Sequence, residues 1–166
     1  MPEGKRGEPD QKQLKALAKG LINEQSTMTL ATCSENIAWA APIYYVFFKS
    51  AFYFFSDPAS RHILEASESG QASGAIHGVA AGWQEIRGIQ MTGCIEVLSM
   101  GLESAEAIAV YLKKFQFTKE FFSSGIPLNL DAFTSRFRVK LYKFNPTLIY
   151  YLDNSLRFGF REQVML

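Results

Sequence analysis

The chain has 166 residues, a length that suits one domain. Its 17 lysine and arginine residues against 16 aspartate and glutamate residues leave a net charge of +1, which argues against the dense basic patch of a nucleic-acid-binding protein. With 48% hydrophobic and 20% charged residues, the composition also excludes a disordered or fibrous protein. The aromatic fraction of 14% is compatible with a core, a stacking pocket or an oligomer interface.

The N-terminal residues 1–9 are polar and predict a disordered arm, so we expect a single domain over residues 10–166. The arm lacks the apolar stretch of a signal peptide, which leads us to expect a cytoplasmic protein. Asp10 can cap a helix predicted over 10–24, because apolar residues recur there at helical spacing, namely Leu14, Leu17, Ala18, Leu21 and Ile22.

Three strands are predicted next, over 27–33, 37–48 and 51–56, from runs of β-branched and aromatic residues. The second run has 12 uncharged residues, too few to cross a bilayer. We therefore expect no membrane segment here and a hairpin that turns at Lys49-Ser50.

A short helix is predicted to open after Ser56-Asp57-Pro58, which supplies a cap and an early proline, and to run to about Ser67. Two further strands are predicted over 71–79 and 84–98. In the second of these, glycines are expected to mark bulges or bends, at Gly88 and Gly93.

The C-terminal third predicts a helix over 103–117, a second short helix over 118–124, and strands over 136–144 and 147–152. In the first of these strands Phe137, Val139 and Leu141 alternate with Arg136, Arg138 and Lys140, which predicts one solvated face. Since the strands come in hairpin-linked groups, we expect a mainly β fold, an antiparallel barrel or sandwich with helices packed outside it.

Most chemical signatures are absent. Cys33 and Cys94 lie outside any C-x-x-C pattern, so we expect two reduced, mostly buried thiols. The two histidines, His62 and His77, have no metal-ligand spacing, and a Ser-His-Asp triad drawn through either one is not singled out by the sequence. The chain has no phosphate-binding glycine motif of the G-x-x-x-x-G-K-[ST] or G-x-G-x-x-G type.

One segment, 55–62 (FSDPASRH), carries the features of an anion site. A strand leads into a helix whose start offers free backbone N–H groups, two hydroxyls and Arg61, and these groups solvate and pair with phosphate. The alternative is an ordinary capped helix with a solvated arginine.

Several short motifs follow one another in a fixed order. They are 29–32 (TLAT), 41–47 (APIYYVF), 54–56 (FFS) with 60–62 (SRH), 87–93 (RGIQMTG) and 153–159 (DNSLRFG). In this order and spacing, over about residues 10–160, they resemble the FMN-binding split-barrel superfamily, the pyridoxamine 5'-phosphate oxidase-like flavoproteins. The C-terminal motif looks most like that of a small uncharacterised branch, although related tails tend to have glycine at the position of Arg157.

The resemblance implies an antiparallel split β-barrel that forms a homodimer, with FMN in a groove at the dimer interface. It assigns the FMN phosphate to Ser56 and Arg61, assisted by Ser60 or His62. It assigns the remaining contacts to the backbone of Ala41, Pro42 and Ile43 beside the ring, to Gln90 from the neighbouring strand, and to Asn154 and Phe158 in the tail.

Each of the more distant assignments has an alternative. Gln90 would otherwise be an exposed amide on a strand, Pro42 an edge-strand or bulge proline, and His77 a structural histidine. The resemblance leads us to expect an oxidoreductase of unknown substrate, with FMN carrying the redox chemistry and no side chain named as catalytic. The alternatives are a non-enzymatic flavin-binding dimer and a heme-handling module with His62 or His77 as axial ligand.

Overall fold

The computed structural model describes residues 8–121 and 130–166. Within these residues the chain forms four α-helices and a single sheet of eight strands. The helices are α1 Gln11–Glu24, α2 Arg61–Ser69, α3 Leu102–Lys114 and α4 Leu130–Phe137. The strands are β1 Thr27–Ser34, β2 Ile37–Tyr44, β3 Val46–Phe48, β4 Ala51–Ser56, β5 Ala72–His77, β6 Arg87–Val97, β7 Lys140–Asp153 and β8 Arg161–Gln163.

The sheet curls on itself because of one residue. Its strands follow the order β2-β1-β5-β6-β7-β4-β3, with antiparallel neighbours throughout, and β8 pairs with β7 beside this path. The two edge strands β2 and β3 are separated in the chain only by Tyr45, so the sheet must bend until its edges approach. Tyr45 is fully buried, and its hydroxyl donates to the carbonyl of Ile22 over 2.6 Å. The expected mainly β, antiparallel fold with flanking helices is confirmed.

The hydrophobic core lies on both sides of the sheet. The larger cluster joins the concave side to α1 and α2 and includes Leu14, Leu21, Leu30, Phe52, Phe54, Ile63, Phe144 and Tyr151. The smaller cluster packs α3 against the other side of β3, β4 and β7, through Tyr53, Ala107, Tyr111, Phe115 and Leu141. Both clusters contain several aromatic rings, so part of the aromatic excess serves the core.

Several sequence predictions are wrong. The strand predicted over 37–48 is broken at Tyr45, and the strands predicted over 136–144 and 147–152 form one strand, β7, that begins only at Lys140. Arg138 has a φ of 54°, a left-handed turn between α4 and β7, so the predicted alternation cannot start at residue 136. The thiols of Cys33 and Cys94 are exposed rather than buried.

The helix predicted over 103–117 ends earlier, at Lys114, and is followed by a 3-10 turn over Gln116–Phe121. Residues 122–124 of the second predicted helix, and residues 1–7 of the predicted arm, lie outside the described residues. In the described part of the chain, no helix is long and apolar enough to cross a membrane.

Candidate functional site

A cluster of two hydroxyls and one imidazole lies where β4 leads into α2. Ser56 is the last residue of β4, and Ser60 is the N-cap of α2 in an extended conformation. In the loop between them, the carboxylate of Asp57 accepts the N–H of Ala59 over 2.8 Å and fixes the turn. As a result, the Oγ atoms of Ser56 and Ser60 are 3.1 Å apart.

His62 closes this cluster from the first turn of α2. Its Nε2 lies 2.8 Å from the Oγ of Ser56 and 3.3 Å from the Oγ of Ser60. Burial lowers the pKa of His62, and the nearby charge of Glu65 opposes that shift only in part. A neutral imidazole with its proton on Nε2 donates to the Oγ of Ser56 and leaves a hydroxyl hydrogen for another partner, whereas the Nδ1–H tautomer accepts a hydroxyl hydrogen at Nε2.

Arg61 follows the N-cap Ser60 in the chain, and its guanidinium makes two contacts. Its Nε donates to the Oε1 of Glu65 over 2.6 Å, one turn further along α2. Its guanidinium carbon lies 4.6 Å from the ring centroid of Trp39 on β2. Because only Nε is bonded to Glu65, the Nη groups have no acceptor among the described residues and can take a bidentate anion.

Glu65 connects the helix to the sheet. Its side chain is buried, and its second oxygen accepts the hydroxyl of Thr32 on β1 over 2.6 Å. The hydrogen bonds from Thr32 and from Arg61 lower the pKa of Glu65, so the carboxylate is ionised at neutral pH. A buried carboxylate with two donors is a rigid anchor for the arginine.

The segment 41–43 lies on the edge strand β2. The side chains of Ala41 and Ile43 point into the core, and Pro42 between them is exposed on the opposite, outer face of the sheet. Pro42 is tolerated here because an edge strand does not need every backbone N–H. Trp39 is three residues away, about 10 Å along the strand.

Gln90 lies on the same outer face as Pro42, three strands further along. One row of register partners crosses the sheet, namely Pro42, Thr29, Ala75, Gln90 and Tyr150. At its centre is a shallow cavity of about 350 Å³, within the size range of small-molecule sites, lined mostly by small residues. Its walls are Thr29, Ala31, Ser73, Gly74, Ala75, Gln90, Met91, Thr92, Leu148 and Tyr150.

The C-terminal tail forms a separate aromatic corner. The side-chain amide of Asn154 donates to the carbonyl of Trp83 over 2.8 Å, and its Oδ1 accepts the N–H of Gly159 over 3.0 Å. Phe158 contacts Trp83 edge to face, with ring centroids 5.5 Å apart. Both rings are exposed, 57% for Trp83 and 73% for Phe158, so this corner is an exposed apolar surface.

The structure brings some of the predicted site residues together and not others. Ser56, Ser60 and His62 form one hydrogen-bonded group, Arg61 lies beside them in the chain at the start of α2, and Pro42 and Gln90 share the outer face. Asn154 and Phe158 are remote from the first group, since Ser56 pairs with Lys140 at the start of β7 and the tail follows Asp153 at its end. A straight strand of 14 residues spans about 43 Å from first to last.

Sequence reasoning missed three residues that organise these groups: Trp39, Glu65 and Trp83. The sequence does contain a signal for the role of Glu65, because this residue follows Arg61 by four residues on a predicted helix, which is the spacing of an ion pair. Trp39 and Trp83 had none, since their partners come from distant parts of the chain.

Comparison with known proteins supports the fold. No family model matches the chain. The UPF0306 protein YhbP of Salmonella arizonae is 28% identical over 148 residues, which cover 88% of each chain. A heme-binding protein from Mycobacterium smegmatis has a similar structure (TM-score 0.70, 17% identity, 96% of this chain), although this chain spans only 59% of that protein's length.

An FAD-binding protein from Mesorhizobium loti is also similar in structure, with a TM-score of 0.59, 13% identity, and coverage of 81% of this chain and 90% of that one. At such low identity these likenesses describe the fold alone. Together with the curled antiparallel sheet, they show that the chain has the split β-barrel fold of the pyridoxamine 5'-phosphate oxidase-like proteins.

Proposed function

We propose that this split-barrel protein is an FMN-binding oxidoreductase that holds the cofactor in a groove at a homodimer interface. The observation that carries the proposal is the start of α2, where two hydroxyls lie 3.1 Å apart and the next residue after Ser60 is an arginine clamped by Glu65 and Trp39. The solved structures of the same fold include an FAD-binding protein, which makes a flavin the natural ligand to test first.

The donor set fits a phosphate monoester. Ser56 and Ser60 offer hydroxyls at the helix start, and Arg61 offers its Nη groups with the guanidinium already oriented by Glu65 and Trp39. Planar, bidentate donation from arginine matches phosphate geometry, and a helix N-terminus adds a favourable dipole. His62 would assist by keeping the Ser56 hydroxyl oriented.

The flavin ring would lie along β2 and the outer face of the sheet. Residues 41–43 lie about 7 to 13 Å along the strand from Trp39, whose ring contacts the guanidinium of Arg61. The backbone of this segment would supply hydrogen bonds to the polar edge of the ring, and Gln90 would approach from the outer-face row. The bound flavin would supply the electron or hydride transfer, and the protein would position it and control access.

The positions of the predicted site residues support the proposed homodimer. The residues proposed to bind the phosphate lie near the start of β7, and the tail follows its end. Asn154 and Phe158 would therefore reach a flavin bound to a second copy of the chain. The outer face also favours pairing, because its central residues are small and exposed, which lets two sheets approach closely. In this proposal the homodimer completes the flavin site.

The test is direct. Purified protein with added FMN should show flavin absorption after removal of free ligand, and a protein that retains no flavin would refute the proposal. Arg61→Ala should weaken FMN binding by about 1.5–3 kcal/mol, the range for a charged hydrogen bond. Unchanged affinity in a flavin-fluorescence titration would remove Arg61 from the site. Screening NADH and NADPH oxidation in the presence of FMN then tests for turnover.

Heme is the second candidate, favoured by the likeness to a heme-binding structure and by one exposed imidazole. His77 at the end of β5 is exposed, whereas the Nε2 of His62 is already bonded to two serines. His77 would therefore be the axial ligand. A heme Soret band that is lost in His77→Ala would favour this function over flavin binding.

We also propose a cytoplasmic location. Cys33 and Cys94 are both free and exposed, a state that a reducing compartment preserves. Labelling of both thiols in intact cells by a membrane-permeant reagent, and not by an impermeant one, would support it.

A further inference from the structure

We infer that Lys140 supplies the positive charge that the phosphate needs at the start of α2, and so sets the preference for a phosphate monoester over the same ring system without phosphate. This inference rests on the proposed function and goes beyond it, because it names the residue that makes the site prefer a negatively charged ligand.

Lys140 lies directly beside the hydroxyl cluster. It is the register partner of Ser56 in the antiparallel pair of β4 and β7. Directly opposite residues point to the same face of a sheet, with Cβ atoms about 4.5–5.5 Å apart. Lys140 is exposed, and it has no ion pair among the described residues, so its flexible stem can bring the ammonium group to a ligand held by Ser56 and Ser60.

The other charges around the cluster do not suit a dianion. The positive charge of Arg61 is balanced by the buried carboxylate of Glu65, which lies 2.6 Å from its Nε. His62 contributes little charge near neutral pH, because burial lowers its pKa. Asp57, in the loop before α2, adds an exposed carboxylate. Without Lys140, the two carboxylates of Glu65 and Asp57 outnumber the one guanidinium around the site, so the hydrogen-bond donors would bind a phosphate without a net positive charge to favour it.

Neighbouring arginines are less well placed for this role. Arg138 lies in the left-handed turn before β7, outside the strand register, and Arg136 is on α4. The pairing with Ser56 fixes the backbone of Lys140 beside the cluster, within reach of its side chain. A lysine serves as a point charge here, while Arg61 provides the directional hydrogen bonds.

The experiment compares FMN with riboflavin, which has the same ring and no phosphate. In wild-type protein, FMN should bind at least tenfold more tightly than riboflavin when both are titrated by flavin-fluorescence quenching. Lys140→Gln should lower FMN affinity about tenfold or more and leave riboflavin affinity unchanged. Lys140→Arg should retain most of the FMN preference. Lys113→Gln, which removes the same charge from an exposed position on α3, is the matched control.

The outcomes separate this inference from the proposed function. If wild-type protein binds neither flavin, the proposed function fails and the inference fails with it. If wild-type protein binds FMN but Lys140→Gln keeps full affinity, only the inference is overturned. An equal loss of FMN and riboflavin affinity in Lys140→Gln also overturns it, since that result indicates a structural role. Inorganic phosphate should compete with FMN on wild-type protein and compete less on Lys140→Gln.

Discussion

Arg61 and Glu65 lie one turn apart on α2, joined by a hydrogen bond of 2.6 Å from Nε to Oε1. The second carboxylate oxygen accepts from Thr32 on β1, so this short helix is tied to the sheet through a buried charge. Stacking on Trp39 fixes the plane of the guanidinium. An arginine ordered in this way loses little conformational freedom when it binds an anion, which raises affinity without adding contacts.

The first prediction concerns Glu65→Gln. Hydrogen bonds from Thr32 and Arg61 lower the pKa of Glu65 from its ordinary value of 4.5, so the folded state binds its proton more weakly than the unfolded state. The carboxylate therefore stabilises the protein above that pH, and the contribution is lost as the pH falls through the lowered pKa. We expect the variant to unfold at a lower temperature than wild type at neutral pH, and the gap to close in acid.

Thermal unfolding followed by circular dichroism over a pH series measures this gap. Glu68→Gln, on the same helix and exposed, is the control and should show no pH-dependent difference. A gap that is as large in acid as at neutral pH would mean that the carboxylate charge is not what stabilises the fold.

The fold was predictable where local periodicity determines it. The helix predicted over 10–24 matches α1, including its cap, because Asp10 and Gln13 exchange the hydrogen bonds of a capping box. The start of β7 was not predictable, because the left-handed turn at Arg138 breaks an alternation that the residue types alone would continue. The break at Tyr45 likewise comes from closure of the sheet, a long-range constraint that leaves no local pattern.

The candidate site was predictable to a similar extent. Ser56, Ser60 and His62 are close in sequence, and the turn into α2 brings them together as a local reading suggests. The clamp on Arg61 could not be predicted from the sequence, because its members come from strands about 20 to 30 residues earlier in the chain. Trp39 contacts Arg61 directly, and Thr32 contacts Glu65. Strand register, which no motif encodes, decides both contacts.

The second prediction concerns Gly93, at the bulge where β6 and β7 cross closely. A Cβ at this position would overlap the backbone carbonyl oxygen of Asn145 and lie 2.8 Å from the Cα of Pro146. Since backbone cannot move aside as a side chain can, Gly93→Ala should cost about 1–3 kcal/mol of unfolding free energy. Gly82→Ala, where nothing lies within 4 Å of the added carbon, should change stability by less than about 0.5 kcal/mol. Urea denaturation of both variants tests this, and equal midpoints would contradict it.

The third prediction concerns Lys114, which ties α3 to two other elements. Its ammonium donates to the carbonyl of Gln25, the C-cap of α1, over 2.6 Å and to that of Tyr45 over 3.2 Å. Lys114→Met leaves these carbonyls without the donor and should destabilise the protein by about 1–3 kcal/mol. Lys113→Met, an exposed neighbour on the same helix, should have little effect.

We also expect the contribution of Lys114 to the free energy of unfolding to depend on pH. Burial lowers the pKa of Lys114 to about 8 from its ordinary value of 10.5, so between these values the folded state releases a proton that the unfolded state still holds. Stability on account of this group therefore rises with pH across that range. The stability gap between wild type and Lys114→Met should widen from pH 8 towards pH 10 in urea denaturation. A constant gap would indicate that the lysine titrates normally.

The last prediction tests the homodimer through Ala75. This residue is exposed at the centre of the outer-face row, between Thr29 and Gln90, and lines the cavity there. In a symmetric dimer an arginine at this position would face its own copy, and the like charges and added volume would separate the sheets. We expect Ala75→Arg to be a folded monomer that binds FMN more weakly, while Ala105→Arg on the exposed face of α3 remains a dimer that binds FMN normally.

Analytical ultracentrifugation with circular dichroism distinguishes loss of pairing from loss of fold. A dimeric Ala75→Arg would exclude the outer face as the interface, and a monomeric variant with full FMN affinity would place the flavin site within one copy of the chain.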